Sequence, residues 1–341
     1  MRKKPYVLQF LLCILGMLFL IIDSKTAVRS AAEAIELCIM SVVPALFPLM
    51  VLSSLLVSIL HAFRIPILEP IGKLCGIPKG AEVFFLVGVL GGYPVGASCI
   101  SQAWKDGSLP KASAERLLGF CSNAGPPFIF GICGALFADP VVGWALWGTH
   151  IISAMISGMI LPRNADGYML VSKRTPISIQ ETIRRCVGTM AQICGWVVMF
   201  RVLTGFLDRW LLWLAPNELR TMLLGCLELT NGCLEMRSIS SEGLRFVICN
   251  AMLAAGGLCV FMQTSSAVGK LGVGMYIPGK LLHCATSILV SILLQPILFG
   301  QCLSAGELAL PGLLLGLLLS LFIPMMGIYK KSGSILLHNR L

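Results

Sequence analysis

The sequence predicts an all-α polytopic membrane protein, an inverted repeat of helices with two re-entrant broken hairpins. Three observations predict it. The 341-residue chain is 57% apolar and only 12% charged, with a mean hydropathy of +0.87, whereas soluble domains carry about 25% charged residues. Two apolar stretches are interrupted at matching places, LVGVLGGYPVGA (86–97) and LLGCLELTNGCL (223–234). Each is followed, about thirty residues on, by a second broken stretch, SNAGPPFIFG (122–131) and LAAGGLCVFMQ (253–263). Basic residues, finally, gather in three places: Arg2, Lys3 and Lys4; Arg163, Lys173, Arg174, Arg184 and Arg185; and Lys330, Lys331 and Arg340.

The chain has room for about eight to ten spans of roughly 20 residues. Charge-poor segments cover 6–22, 37–63, 83–104, 117–138, 140–162, 186–207, 221–236, 246–269, 281–303 and 308–329. The first is a 17-residue apolar run with no prompt small-x-small cleavage site, so it reads as a retained span rather than a signal peptide. Pro44 and Pro48 interrupt 37–63; each removes a backbone donor and frees a carbonyl one turn earlier, as in a helix shaped around a cavity. Segment 83–104 carries Gly91-Gly92-Tyr93-Pro94. Segment 117–138 carries Ser122 and Asn123, then Gly125-Pro126-Pro127, which cannot continue an α-helix smoothly. Segment 186–207 contains Arg201. Segment 221–236 is short and holds Glu228, Asn231 and Glu235. In 246–269, Ala255-Gly256-Gly257 takes the place of the first break, with Gln263 and Thr264 just after it.

The basic clusters set the topology. All three should be cytoplasmic. A full crossing by 83–104 puts loop 163–185 outside; a dip and return puts it inside, as its charge demands. The same reasoning applies to 221–236 and the C-terminal tail. Eight full spans and two re-entrant hairpins follow, with both termini in the cytoplasm. The hairpins then enter from opposite faces, the inverted-repeat plan of many alternating-access carriers.

Broken backbone inside a bilayer survives only where protein buries it or a polar cavity lines it. The candidate substrate-binding residues are therefore those at the breaks: Gly92, Tyr93, Pro94 and Gly96; Ser122 and Asn123; Glu228, Thr230 and Asn231; Gly256 and Gln263. Glycine allows close backbone approach, and Pro94 suits the first turn of a half-helix whose free N–H groups favour an anion. Glu228 is an intramembrane ionisable group and hence a functional candidate. It carries a coupling proton, pairs with Arg201, or caps a helix near the surface.

The net charge of +10 reads as topology signal, not as a nucleic-acid footprint. No G-x-S-x-G, H-E-x-x-H, P-loop or Rossmann pattern occurs, and no enzyme activity or cofactor is expected. Fourteen cysteines include no C-x-x-C pair and read as small, packable, reduced residues. His61, His150, His283 and His338 are scattered in sequence, and no metal site is expected.

VVPALFPLMVLSSLL, GGYPVGA, AERLLGFCSNAGPPFIFG, LELTNG and GGLCVFMQ together resemble the YlbJ-like sporulation integral membrane proteins, within the wider group that carries nucleoside-recognition Gate domains. The resemblance spans about residues 30–300. It implies a first Gate-like repeat over 30–162, a second, inverted one over 186–303, the basic cytoplasmic loop 163–185 between them, an N-terminal membrane helix and short loop at 1–29, and a last membrane helix with a basic cytoplasmic tail at 304–341. It also implies a bacterial cell membrane or outer forespore membrane protein that moves a small anionic metabolite, dipicolinate, during sporulation. The alternatives are a nucleoside or other polar-solute carrier and a non-transporting scaffold. The expected partners are the solute, the lipid bilayer, and a second copy or other sporulation membrane proteins.

Overall fold

The computed structural model describes residues 4–60, 66–163 and 178–338, and the side chains of 10–59, 66–163 and 178–324. Lys173, Arg174, His61, His338 and the basic residues of both tails lie outside the described residues or side chains. No strand occurs among the described residues, and six helical runs are long and apolar enough to cross a membrane: Ser24–Ile59, Val141–Ile160, Ile179–Leu212, Glu242–Leu271, Tyr276–Phe299 and Ala305–Pro324. This is the make-up of an α-helical, multi-pass membrane protein.

One of the eight expected full spans is interrupted. The segment 6–22 gives α1 (Lys4–Ile22), a continuous 19-residue apolar helix. The segment 117–138 breaks, and its apolar helical part is Pro126–Leu136. A second departure lies at 24–37, expected as loop at its start. There α2 (Ser24–Leu37) begins at Asp23, whose Oδ1 accepts from Thr26 N at 3.3 Å, a good N-cap ahead of the helix formers Ala31-Ala32-Glu33. It runs through a wide turn at Cys38–Val42 into α3 (Val43–Leu60), with Pro48 inside.

After α4 (Glu69–Cys75), the first interrupted stretch forms α5 (Glu82–Gly91) and α6 (Val95–Lys105). Next come α7 (Lys111–Leu118), an extended break, and α8 (Pro126–Phe128), which continues in tight and wide turns to Leu136. The chain continues through α9 (Val141–Ile160) and α10 (Ile179–Leu207) to α11 (Asn217–Leu227) and α12 (Leu229–Glu235). It then passes through α13 (Glu242–Ala255) and α14 (Gly257–Val268) to α15 (Tyr276–Phe299) and α16 (Ala305–His338).

The polarity of α15 is inverted relative to a soluble helix. Leu289, Leu293 and Ile297 recur at helical spacing and are 62–79% exposed, while Lys280, His283, Ser287, Ser291 and Gln295 form the opposite, buried stripe. Helical periodicity makes each set a single face. The apolar face suits lipid, and the polar face is held inside by partners: Ser287 donates to the Asn250 carbonyl at 3.1 Å and Thr286 to the Ser153 carbonyl at 3.2 Å. Thus α15 is clamped between α9 and α13.

Both interrupted stretches fold as two arms meeting through glycines. A Cβ at Gly96 would strike Gly88 Cα, and one at Gly232 would strike Gly225 Cα. Each pair also seats against the broken segment that follows it: Gly88 and Gly96 against the Cys121 carbonyl, Gly225 and Gly232 against Met252. Small residues let helix backbones approach where lipid supplies no hydrophobic drive.

Arg116, on α7, fixes the ends of these helices. It is 3% exposed and donates to five carbonyls, those of Pro162, Gly76, Cys75, Gly158 and Leu161, at 2.6–3.3 Å. It thereby caps the C-terminal ends of α4 and α9. Arg116→Leu should cost on the order of 4 kcal/mol, since buried carbonyls lose charged donors. Arg116→Lys should recover only part of it, because an ammonium cannot reproduce the planar fork. Thermal unfolding in detergent measures both.

Candidate functional site

The first break is made by Gly92, whose φ of 77° and ψ of −179° suit glycine alone. The following Tyr93–Pro94 peptide is cis, and no side chain caps α6. Gly92 lies against the next break, with a Cβ there 3.1 Å from Gly125 N. Tyr93 points inward. Its hydroxyl donates to the carbonyls of Leu253 and Ala254 at 3.1 and 3.5 Å. Those carbonyls lose helical partners because α13 stops at Gly256, a left-handed residue with φ 77°. A side chain of the first interrupted stretch therefore completes the backbone of the last one.

Lys280 completes this junction. Its Nζ donates to Tyr93 Oη at 2.9 Å, Asn123 Oδ1 at 3.5 Å and His283 Nδ1 at 3.4 Å. It sits 4.8 Å from the centroid of the Tyr93 ring. Asn123 Nδ2 is engaged by the Phe120 carbonyl at 2.9 Å, which turns Oδ1 towards the ammonium. Gly279 packs on the backbone of Gly119, so α15 reaches the break closely enough for this contact. Lys280 is 2% exposed, and its three acceptors are all neutral. No carboxylate pairs with it among the described residues.

Two histidines extend the network. His150 and His283 lie against one another with ring centroids 4.6 Å apart and planes inclined at 40°. His283 Nε2 donates to the His150 carbonyl at 3.0 Å, which leaves Nδ1 as the acceptor for Lys280. His150 Nε2 accepts from Ala124 N at 3.0 Å. Its Nδ1 then carries the proton, and that donor is fully buried with no protein partner, as is the hydroxyl of Ser122. The Lys280 amine and two unused donors thus converge on the break that begins at Gly119.

The second polar cluster is arranged differently. Glu228 is 3% exposed and stands in extended conformation between α11 and α12. Its oxygens accept from Thr230 N at 3.0 Å and Asn231 N at 2.7 Å. It caps a helix, but inside the protein rather than near a surface. No ion pair joins it to Arg201, which pairs with Glu33 at 2.7 Å and donates to Asn231 Oδ1. Asn231 also donates to Thr204 Oγ1 at 2.9 Å. The N-terminus of α12 is therefore already filled by a carboxylate of this chain, unlike that of α6. Of the two half-helix N-termini, only that of α6 is left without a side-chain cap.

Of the sequence-predicted residues, Gly92, Tyr93, Ser122, Asn123 and Gly256 gather at the first centre. Pro94 and Gly96 shape the arm that carries Tyr93. Glu228, Thr230 and Asn231 form the second centre. Gln263 bonds Cys259 Sγ at 3.4 Å, one turn away on its own helix. Sequence reading missed Lys280, His150 and His283. Lys280 carries a signal, a lone cation near the start of an apolar span. The two histidines come together from positions 133 residues apart, which no local pattern encodes.

No protein-family model, curated protein or solved structure matches this chain.

Proposed function

We propose that the protein is a membrane carrier for a small anionic metabolite, with Lys280 as the anion-recognising group and dipicolinate as the substrate to test first. Lys280 carries the proposal. Removing an ammonium from water costs several kcal/mol even after relaxation, and here only neutral acceptors offset it. An arriving carboxylate supplies the missing counter-charge, while His150 Nδ1 and Ser122 Oγ offer it hydrogen bonds.

Carriage by alternating access follows from the breaks. In this reading the α5–α6 and α11–α12 arms are hairpins entering from opposite membrane faces, and both termini are cytoplasmic. The matched glycine pairs, each seated on the broken segment that follows, support a repeated unit. The centre is closed in this conformation, with Lys280, Asn123, His150 and His283 all buried. Glu228 keeps its role as internal anion at the second hairpin. The cell membrane, and in sporulating cells the outer forespore membrane, is the location this reading assigns. The likeness to sporulation proteins is what selects dipicolinate among small carboxylates.

A nucleoside carrier is the second reading, resting on the neutral groups of Tyr93, Ser122 and Asn123; it leaves the buried cation without a task. Ligand-dependent thermal stability separates the two. At a hundredfold excess over Kd, a bound ligand adds about 2.7 kcal/mol. Dipicolinate should stabilise the wild type and nucleosides should not. Stabilisation by nucleosides alone would favour the second reading, and a folded protein indifferent to every solute would favour a scaffold.

A further inference from the structure

We propose that Cys133, Cys233 and Cys249 form a three-coordinate, all-sulfur site for a cuprous ion. The site is separate from the anion centre and does not depend on it. Cys133 ends the wide turn after α8, Cys233 lies on α12 and Cys249 on α13. Their Sγ atoms all lie within 4.8 Å of one another, and Cys133 and Cys233 are 3.6 Å apart. None of the three is exposed at all.

The spacing suits a metal. With metal–sulfur bonds of about 2.3 Å, a trigonal site places its sulfurs about 4.0 Å apart, which falls between the two distances just given. Small adjustments of χ1 therefore suffice. The ligand set selects the ion. Structural zinc takes four ligands, and no histidine or carboxylate joins this cluster among the described residues. Thiolates are soft donors that favour Cu(I) over oxygen-seeking cations, and a buried sulfur trio offers no water to complete a larger shell. Binding involves no redox change: the ion enters and stays cuprous, and each thiol that ligates as thiolate releases its proton.

The position gives the site a consequence. An ion there ties the second interrupted stretch, through α12, to both α13 and the α8 segment of the first half. Copper would therefore fix the two halves relative to one another and raise the temperature of unfolding.

The test uses the full chain, purified without oxygen, with the exposed thiols removed by Cys13→Ser and Cys302→Ser. Cu(I) is delivered from a competing chromogenic chelator, and bound copper is examined by X-ray absorption. One ion per chain with three sulfurs at about 2.3 Å is expected. Cys133→Ser, Cys233→Ser and Cys249→Ser should each weaken binding by about tenfold or more, and Cys99→Ser, buried elsewhere on α6, should leave it unchanged. No chelator-resistant copper in folded protein would overturn the proposal, as would binding indifferent to all three serine variants. Should a serine variant fail to fold, the sulfur count around copper in the parent decides, and a count other than three contradicts the site.

Discussion

Lys280→Met should yield a protein about as stable as the wild type that dipicolinate no longer stabilises. Two terms set the stability. Methionine has similar length and no charge, so it removes the several kcal/mol spent on burying an ammonium. Against this, Asn123 Oδ1 and His283 Nδ1 lose a donor, at about 1–3 kcal/mol each. Tyr93 loses less, since its hydroxyl still donates to the Leu253 carbonyl. The terms nearly cancel, and a net change within about 2 kcal/mol is expected. Binding has no such compensation, because the site would then hold no cation. A lysine that only supports the fold behaves in the opposite way: its loss would cost more than about 2 kcal/mol in broken hydrogen bonds, with or without ligand. Thermal unfolding of both proteins, with and without dipicolinate, separates the two cases.

Gly88→Ala should be among the most damaging single-methyl changes in the chain. The added Cβ would lie on the Cys121 carbonyl, and the backbone has no rotamer by which to yield. The α5 arm would have to lift away from α6 and from the break that follows. Overpacking a tight contact costs about 1–3 kcal/mol, and an obstacle made of backbone belongs at or above the upper end. Gly225→Ala makes the instructive comparison. There the nearest obstacle is the Met252 side chain, which is flexible and can rotate aside. The second substitution should cost at least about 1 kcal/mol less than the first. Equal losses would mean that the Gly88 contact is looser than described. Unfolding temperatures and expression of the two variants give the comparison.

The membrane class was legible because composition alone excludes a soluble domain. The breaks were legible because their causes are local: Gly92 and Gly256 end α5 and α13 at positive φ, and Pro126-Pro127 open a new helix rather than continue one. What required the fold was pairing at long range. Arg201 meets Glu33 from 168 positions away, so the sequence offered Glu228 as its partner on proximity alone. Lys280 escaped notice for a different reason. A span read as starting at 281 leaves it in a loop, whereas α15 starts at Tyr276 and carries the lysine one turn inside. Cys133 lies at least 100 positions from Cys233 and Cys249, and a search for C-x-x-C spacing cannot find a site assembled from three helical segments.

Uptake of labelled dipicolinate into vesicles containing the wild-type protein or Lys280→Met, with a nucleoside panel alongside, tests the central claim most directly. Saturable dipicolinate uptake by the wild type, lost in Lys280→Met at equal abundance, is the predicted result. Undiminished dipicolinate uptake by Lys280→Met, or no uptake of any solute by well-folded wild-type protein, would contradict it.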